Sequence, residues 1–145
     1  MYCVRKQETK AVEVEPGLYG AKLVDGSDGA RRVALLSGWL KPGAAHSPHM
    51  HESEEAVTFL SGRGVVRIGG QDFEVGPGDA VWIPPGAVHS TLNTGEEDLR
   101  FVAAFSDGLI AAIPAADGDA GRKPPLRWLQ RCRWFLRRVA NKLLR

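Results

Sequence analysis

Gly43-Ala-Ala-His46-Ser-Pro-His49-Met-His51-Glu-Ser-Glu-Glu55-Ala-Val-Thr-Phe-Leu-Ser-Gly62 is the stretch on which the reading of this chain turns. His49 and His51 are separated by one residue. On a strand, where side chains alternate between faces, they point the same way. A second stretch, Gly78-Asp-Ala-Val-Trp-Ile-Pro84-Pro-Gly86-Ala-Val-His89-Ser-Thr-Leu-Asn93, adds a distant histidine. Imidazole and carboxylate are ordinary ligands of divalent first-row metals. His49, His51, Glu55 and His89 can close around one ion if a barrel brings the two stretches together.

The two stretches resemble the paired motifs of the cupin superfamily. The first motif is Gly, five residues, His-x-His, three or four residues, Glu, six residues, Gly; Gly43, His49, His51, Glu55 and Gly62 meet it. The second is Gly, five residues, Pro-x-Gly, two residues, His, three residues, Asn; Gly78, Pro84, Gly86, His89 and Asn93 meet it. With the flanking strand pattern, the resemblance runs from about Tyr19 to Phe105. It implies an all-β fold, a small antiparallel β-barrel or jelly roll of the small single-domain kind. It also implies that His49, His51, Glu55 and His89 project into the lumen as metal ligands, for one divalent ion among Fe, Mn, Ni, Cu and Zn. Burying such a polar quartet without a partner would be costly, which argues the same way.

Three imidazoles and one carboxylate leave one or two positions open on an octahedral ion, as a catalytic site needs. One carboxylate neutralises only part of a +2 charge, so the site favours carboxylates, enolates or enediols. By resemblance, dioxygenase-like chemistry on a small anionic or oxygenated organic molecule comes first, then lyase or isomerase chemistry. The alternative is a non-catalytic, metal-dependent binding or sensing module. No separate acid-base apparatus stands out, so no catalytic residue beyond the metal set is assigned.

Strand parity groups Glu55 with Val57 and Phe59, and His89 with Thr91 and Asn93. His46, three residues before His49, is an alternative fifth ligand, but by the same parity it faces away from His49 and is expected near the surface or behind the ligands. Glu52 and Glu54 have the wrong parity to replace Glu55. Trp39, Phe59, Trp82, Phe101 and Phe105 are candidates for the cavity wall, most of them plain core. Tyr19, Lys22, Arg67 and Thr91 are polar residues that could contribute.

Short strands separated by Gly and Pro signals are expected at 19–24, 32–40, 56–60, 65–68, 72–75, 80–83, 88–92 and 99–105. Val12 and Val14 alternate with charged residues and suit an edge or exchanged strand. Ser61-Gly-Arg-Gly64 is expected to close a hairpin, and Gly69-Gly70 another. Asp79 is expected to bond local backbone amides. The division predicted is a barrel over 1–107, a linker over 108–125 and a basic amphipathic helix over 126–145.

The 145 residues suit one domain, and the net charge of +2 hides an asymmetry. Residues 1–121 hold all 17 acidic residues against ten basic ones, a balance of −7, whereas 122–145 hold nine basic residues and no acid. In the expected helix Trp128, Leu129, Cys132, Phe135, Leu136, Val139 and Leu143 share a face. That face suits docking on the barrel or a partner, or contact with a membrane surface; nucleic acid is a poor fit without a base-reading motif. No long apolar run and no signal-peptide core is present, and Cys3 and Cys132 form no metal or redox spacing. A cytoplasmic location, with peripheral contact at the inner membrane face through the tail, is the expectation. The resemblance adds a homodimer.

Overall fold

The computed structural model describes residues 3–5 and 8–115. The expected helix over 126–145 and Cys132 lie outside those residues. Eleven strands form two antiparallel sheets. They are β1 (Val12–Glu15), β2 (Leu18–Val24), β3 (Ala34–Leu40), β4 (Ala45–Met50), β5 (Glu55–Ser61), β6 (Gly64–Ile68), β7 (Gln71–Val75), β8 (Ala80–Ile83), β9 (His89–Asn93), β10 (Leu99–Phe105) and β11 (Ile113–Pro114). One sheet runs β1-β2-β3-β10-β5-β8 and the other β11-β4-β9-β6-β7. Among the described residues there is no α-helix, and no helix long and apolar enough to cross a membrane.

The period of two is visible in β5, where Glu55, Val57 and Phe59 are buried and Ala56 and Leu60 are exposed. Between the sheets lies one apolar core that includes Leu18, Leu40, Phe59, Val66, Leu99 and Phe105. Phe59 and Leu40 are among the largest fully buried side chains. Each contributes about 2 kcal/mol through the apolar surface it removes from water. Asp25 caps a 3-10 turn after β2 by accepting from the Ser27 amide at 2.8 Å.

The Gly69-Gly70 hairpin joins β6 and β7 as expected. Ser61–Gly64 does not close a hairpin: β5 pairs with β10 and β8, whereas β6 pairs with β7 and β9 in the other sheet. The chain turns a barrel corner there. Gly62 has φ +80° and packs so closely that a Cβ would stand 2.6 Å from the Asp98 carbonyl oxygen. The glycine spacing thus serves a change of sheet rather than a tight reversal, a distinction that local turn chemistry does not carry.

β1 is an edge strand on β2, matching the alternation of Val12 and Val14. Ile113–Pro114, inside the stretch read as linker, instead pairs with Met50 and His49 of β4. Ala115 extends this contact by donating to the Pro48 carbonyl at 3.0 Å.

Candidate metal centre

The two motifs are stitched together by their own backbones. Gly43 donates to the Asn93 carbonyl at 3.1 Å, and Asn93 donates to Ala44 at 3.0 Å. Gly86 donates to the His51 carbonyl at 2.7 Å. The Asn93 side chain, 1% exposed, donates to the carbonyls of Leu40 and Glu97 at 2.8 Å each and accepts from the Gly95 amide at 2.9 Å. These bonds set β4 against β9, with His49 directly opposite His89.

His49, His51, Glu55 and His89 converge as the sequence predicted. One ligand atom from each lies within 4.8 Å of all the others. Exposures of 4%, 5%, 7% and 3% place all four in the interior. Glu54 stays apart, its amide bonded to the Ser106 hydroxyl at 3.0 Å.

Each ring is oriented by a backbone carbonyl on Nδ1. His49 meets Ser47 at 2.7 Å, His51 meets Ala111 at 2.6 Å and His89 meets Ala87 at 2.9 Å. A carbonyl only accepts, so Nδ1 carries the proton in each ring. In a neutral imidazole that leaves the Nε2 lone pair bare, the arrangement that outer hydrogen bonds impose on metal-binding histidines.

The donor atoms fit a cation. Oε2 of Glu55 lies 3.1 Å from Nε2 of His89 and 3.3 Å from Nε2 of His51. Nevertheless, Glu55 Oε2 and His89 Nε2 are buried without a well-formed hydrogen bond. Two lone-pair atoms this close and without a hydrogen bond suit a shared cation, and a divalent ion would fit that role. His49, His51, Glu55 and His89 could hold such an ion.

The electrostatics of the unloaded cluster show the same tension. Burial drives His49 down to about 3, with the neighbouring His89 and His46 adding to the effect. Burial alone would raise Glu55, but contact with His51 and His89 outweighs it and holds the carboxyl at about 2. For His51, burial pulls downward and is outweighed by Glu55 and the Ala111 carbonyl, so its pKa lies above the usual value.

Leu40, Val57, Phe59, Val66, Val81, Ile83 and Phe101 form the apolar wall of a cavity over this cluster. The cavity is small, with a volume of about 20 Å³, and is partly open to solvent. Phe105 instead meets the His51 ring edge-on at 5.1 Å. Trp39 and Trp82 are not in the wall. Trp39 stacks on Tyr19 and under Arg100, and Trp82 is 49% exposed on the edge strand β8. Lys22 pairs with Asp25, and Arg67 pairs with Asp72. Of the four polar residues named from sequence, Thr91 alone lines the cavity.

His46 overturns its parity. It lines the cavity, and its ring centroid lies 3.8 Å from that of His49. The register against β9 shifts between His46 and His49, with Ser47 and Pro48 standing opposite the single residue Ser90. Proline cannot donate to a ladder and is accommodated at a bulge, which here resets the alternation. Pro48 was the available signal. The Ala111 carbonyl left none, because every residue has one.

Residues 39–105 match the Cupin_2 family, described as a cupin domain. The chain is 36% identical over 92 residues to the dimethylsulfoniopropionate lyase DddW of Ruegeria pomeroyi, covering 63% of this chain and 60% of that protein. It is 40% identical over 65 residues to an oxalate-binding protein of Thermotoga maritima, covering 44% of this chain and 54% of the other. The chain thus spans between about half and three-fifths of these curated relatives. The solved structure of the polyketide cyclase RemF from Streptomyces resistomycificus superposes with a TM-score of 0.67 at 29% identity, over 83% of this chain and 90% of that one. Residues 39–105 thus form a cupin domain, and the described fold is that of the RemF structure.

Proposed function

We propose that His49, His51, Glu55 and His89 bind one divalent first-row metal and that the protein acts there on a small carboxylate-bearing molecule by lyase-type chemistry. The observation that carries this reading is the pair of buried, unpartnered atoms, Glu55 Oε2 and His89 Nε2, amid three histidines whose Nδ1 positions are all taken by carbonyls. The order implied by resemblance alone, oxygenase first, is reversed here. DddW is a lyase by name, its substrate is a propionate, and the Thermotoga protein is named for oxalate.

A bound ion would supply Lewis acidity toward a substrate carboxylate. The chain's own residues supply the rest. The carbonyls of Ser47, Ala111 and Ala87 keep the rings from rotating. Phe59, Phe101 and Ile83 make much of the cavity wall apolar, which lowers the local dielectric around the cluster. Glu55 leaves a net positive site that selects anions.

The test is elemental analysis of the purified protein, followed by incubation of the loaded protein with a panel of small carboxylic acids while oxygen is monitored. Turnover without oxygen uptake, abolished by a chelator, is expected. Oxygen consumption coupled to turnover would restore the dioxygenase reading. An acid recovered bound and unchanged would favour a binding module, the reading supported by the oxalate-binding relative.

A further inference from the structure

We propose that His46 and Thr91 form a polar subsite that receives a second oxygen-bearing group of the substrate, with Glu15 as the positioning residue for His46. This rests on the reading of the four-residue cluster as a metal site that holds a carboxylate.

His46 and Thr91 are direct cross-strand partners on β4 and β9. Both line the cavity, and apart from His49, Glu55 and His89 they are its only polar lining residues among the described residues. The rest of the wall is aliphatic or aromatic. Imidazole and hydroxyl can each donate and accept. Side by side in an apolar wall, they suit a hydroxyl or carboxylate and disfavour a methyl group.

His46 is not part of the metal cluster, although its ring packs against His49. Its Nε2 lies 3.6 Å from Glu15 Oε1. The other carboxylate oxygen of Glu15 accepts from the Ser47 amide at 3.0 Å and the Ser47 hydroxyl at 2.8 Å. Strand β1, at the edge of the other sheet, therefore reaches across to the residue after His46 and sets a carboxylate beside the imidazole.

The experiment uses the full chain loaded with cobalt(II), whose visible spectrum reports both metal occupancy and ligand entry. The probes are 3-hydroxypropionate and propionate, which differ by one hydroxyl. The unaltered protein should prefer the hydroxy acid by about tenfold, the worth of one well-placed hydrogen bond. His46→Leu combined with Thr91→Val should erase that preference while cobalt stoichiometry and propionate affinity stay within about twofold. Glu15→Gln should reduce the preference without erasing it. Equal affinity of the unaltered protein for the two probes, or a preference that survives the double substitution, overturns the subsite. Loss of cobalt in His46→Leu alone would make His46 a ligand and equally overturn it. Absence of cobalt from the unaltered protein would instead remove the underlying metal reading.

Discussion

Nε2 of His89 and Oε2 of Glu55 lie 3.1 Å apart, yet neither forms a well-aligned hydrogen bond. Both belong to a set of four donor atoms that lie within 4.8 Å of one another. Proteins seldom leave buried polar atoms without a hydrogen bond, because each costs about 1–3 kcal/mol. A cation among the four relieves both at once.

Metal should therefore raise thermal stability. At a free metal concentration about a hundred times Kd, linkage adds about 2.7 kcal/mol. Calorimetry with and without a chelator checks this; an unchanged midpoint at saturating metal would count against the site.

Removing a ligand should be far worse than disturbing its surroundings. His51→Ala and Glu55→Gln should each weaken metal binding by more than the ~10- to 100-fold typical of changes to groups behind a ligand. Elemental analysis after dialysis against a weak chelator reads the result. Full occupancy in His51→Ala would remove that residue from the ligand set.

Acid should expel the metal, chiefly through His51. Its folded pKa is raised, so as pH falls through that value a proton occupies Nε2 and competes with the ion. His49 at about 3 and Glu55 at about 2 are already deprotonated near neutrality and add no competition there. His51 should thus contribute about one proton to the dependence of log affinity on pH just below its titration. Competition titrations at several pH values check the slope. Affinity independent of pH through that window would contradict the assignment.

Asn93→Ala should destabilise the barrel by roughly 2–3 kcal/mol, since buried carbonyls at Leu40 and Glu97 lose their donor. Metal stoichiometry of the folded fraction should remain at one. Denaturant unfolding separates the two effects.

Gly62→Ala should cost more than ~2 kcal/mol, combining a left-handed backbone with a direct clash against the Asp98 carbonyl. Urea midpoints compared with those of the unaltered protein measure it.

Much of this was legible in the sequence because it depends on side-chain identity at fixed spacing. His49 and His51 stand two residues apart at the end of β4, Glu55 opens β5 and His89 opens β9, and Val57 and Phe59 follow Glu55 inward as alternation requires. What escaped depends on long-range pairing. Parity holds only within an unbroken ladder, and Pro48 interrupts it between His46 and His49. Ser61–Gly64 carries hairpin chemistry, but the partner of each flanking strand lies elsewhere in the chain. Glu15 and Ala111 reach the site from outside both motifs, where no local pattern marks them.

The bond from His51 to the Ala111 carbonyl spans 60 residues and leaves the matched domain, which stops at 105. A barrel trimmed to its family boundary would keep all four side chains and lose the acceptor that aims one of them. If the four side chains bind an ion, the span around β11 would act as a tether on it: tension, cleavage or a docked neighbour at 109–115 would register as a change in metal retention.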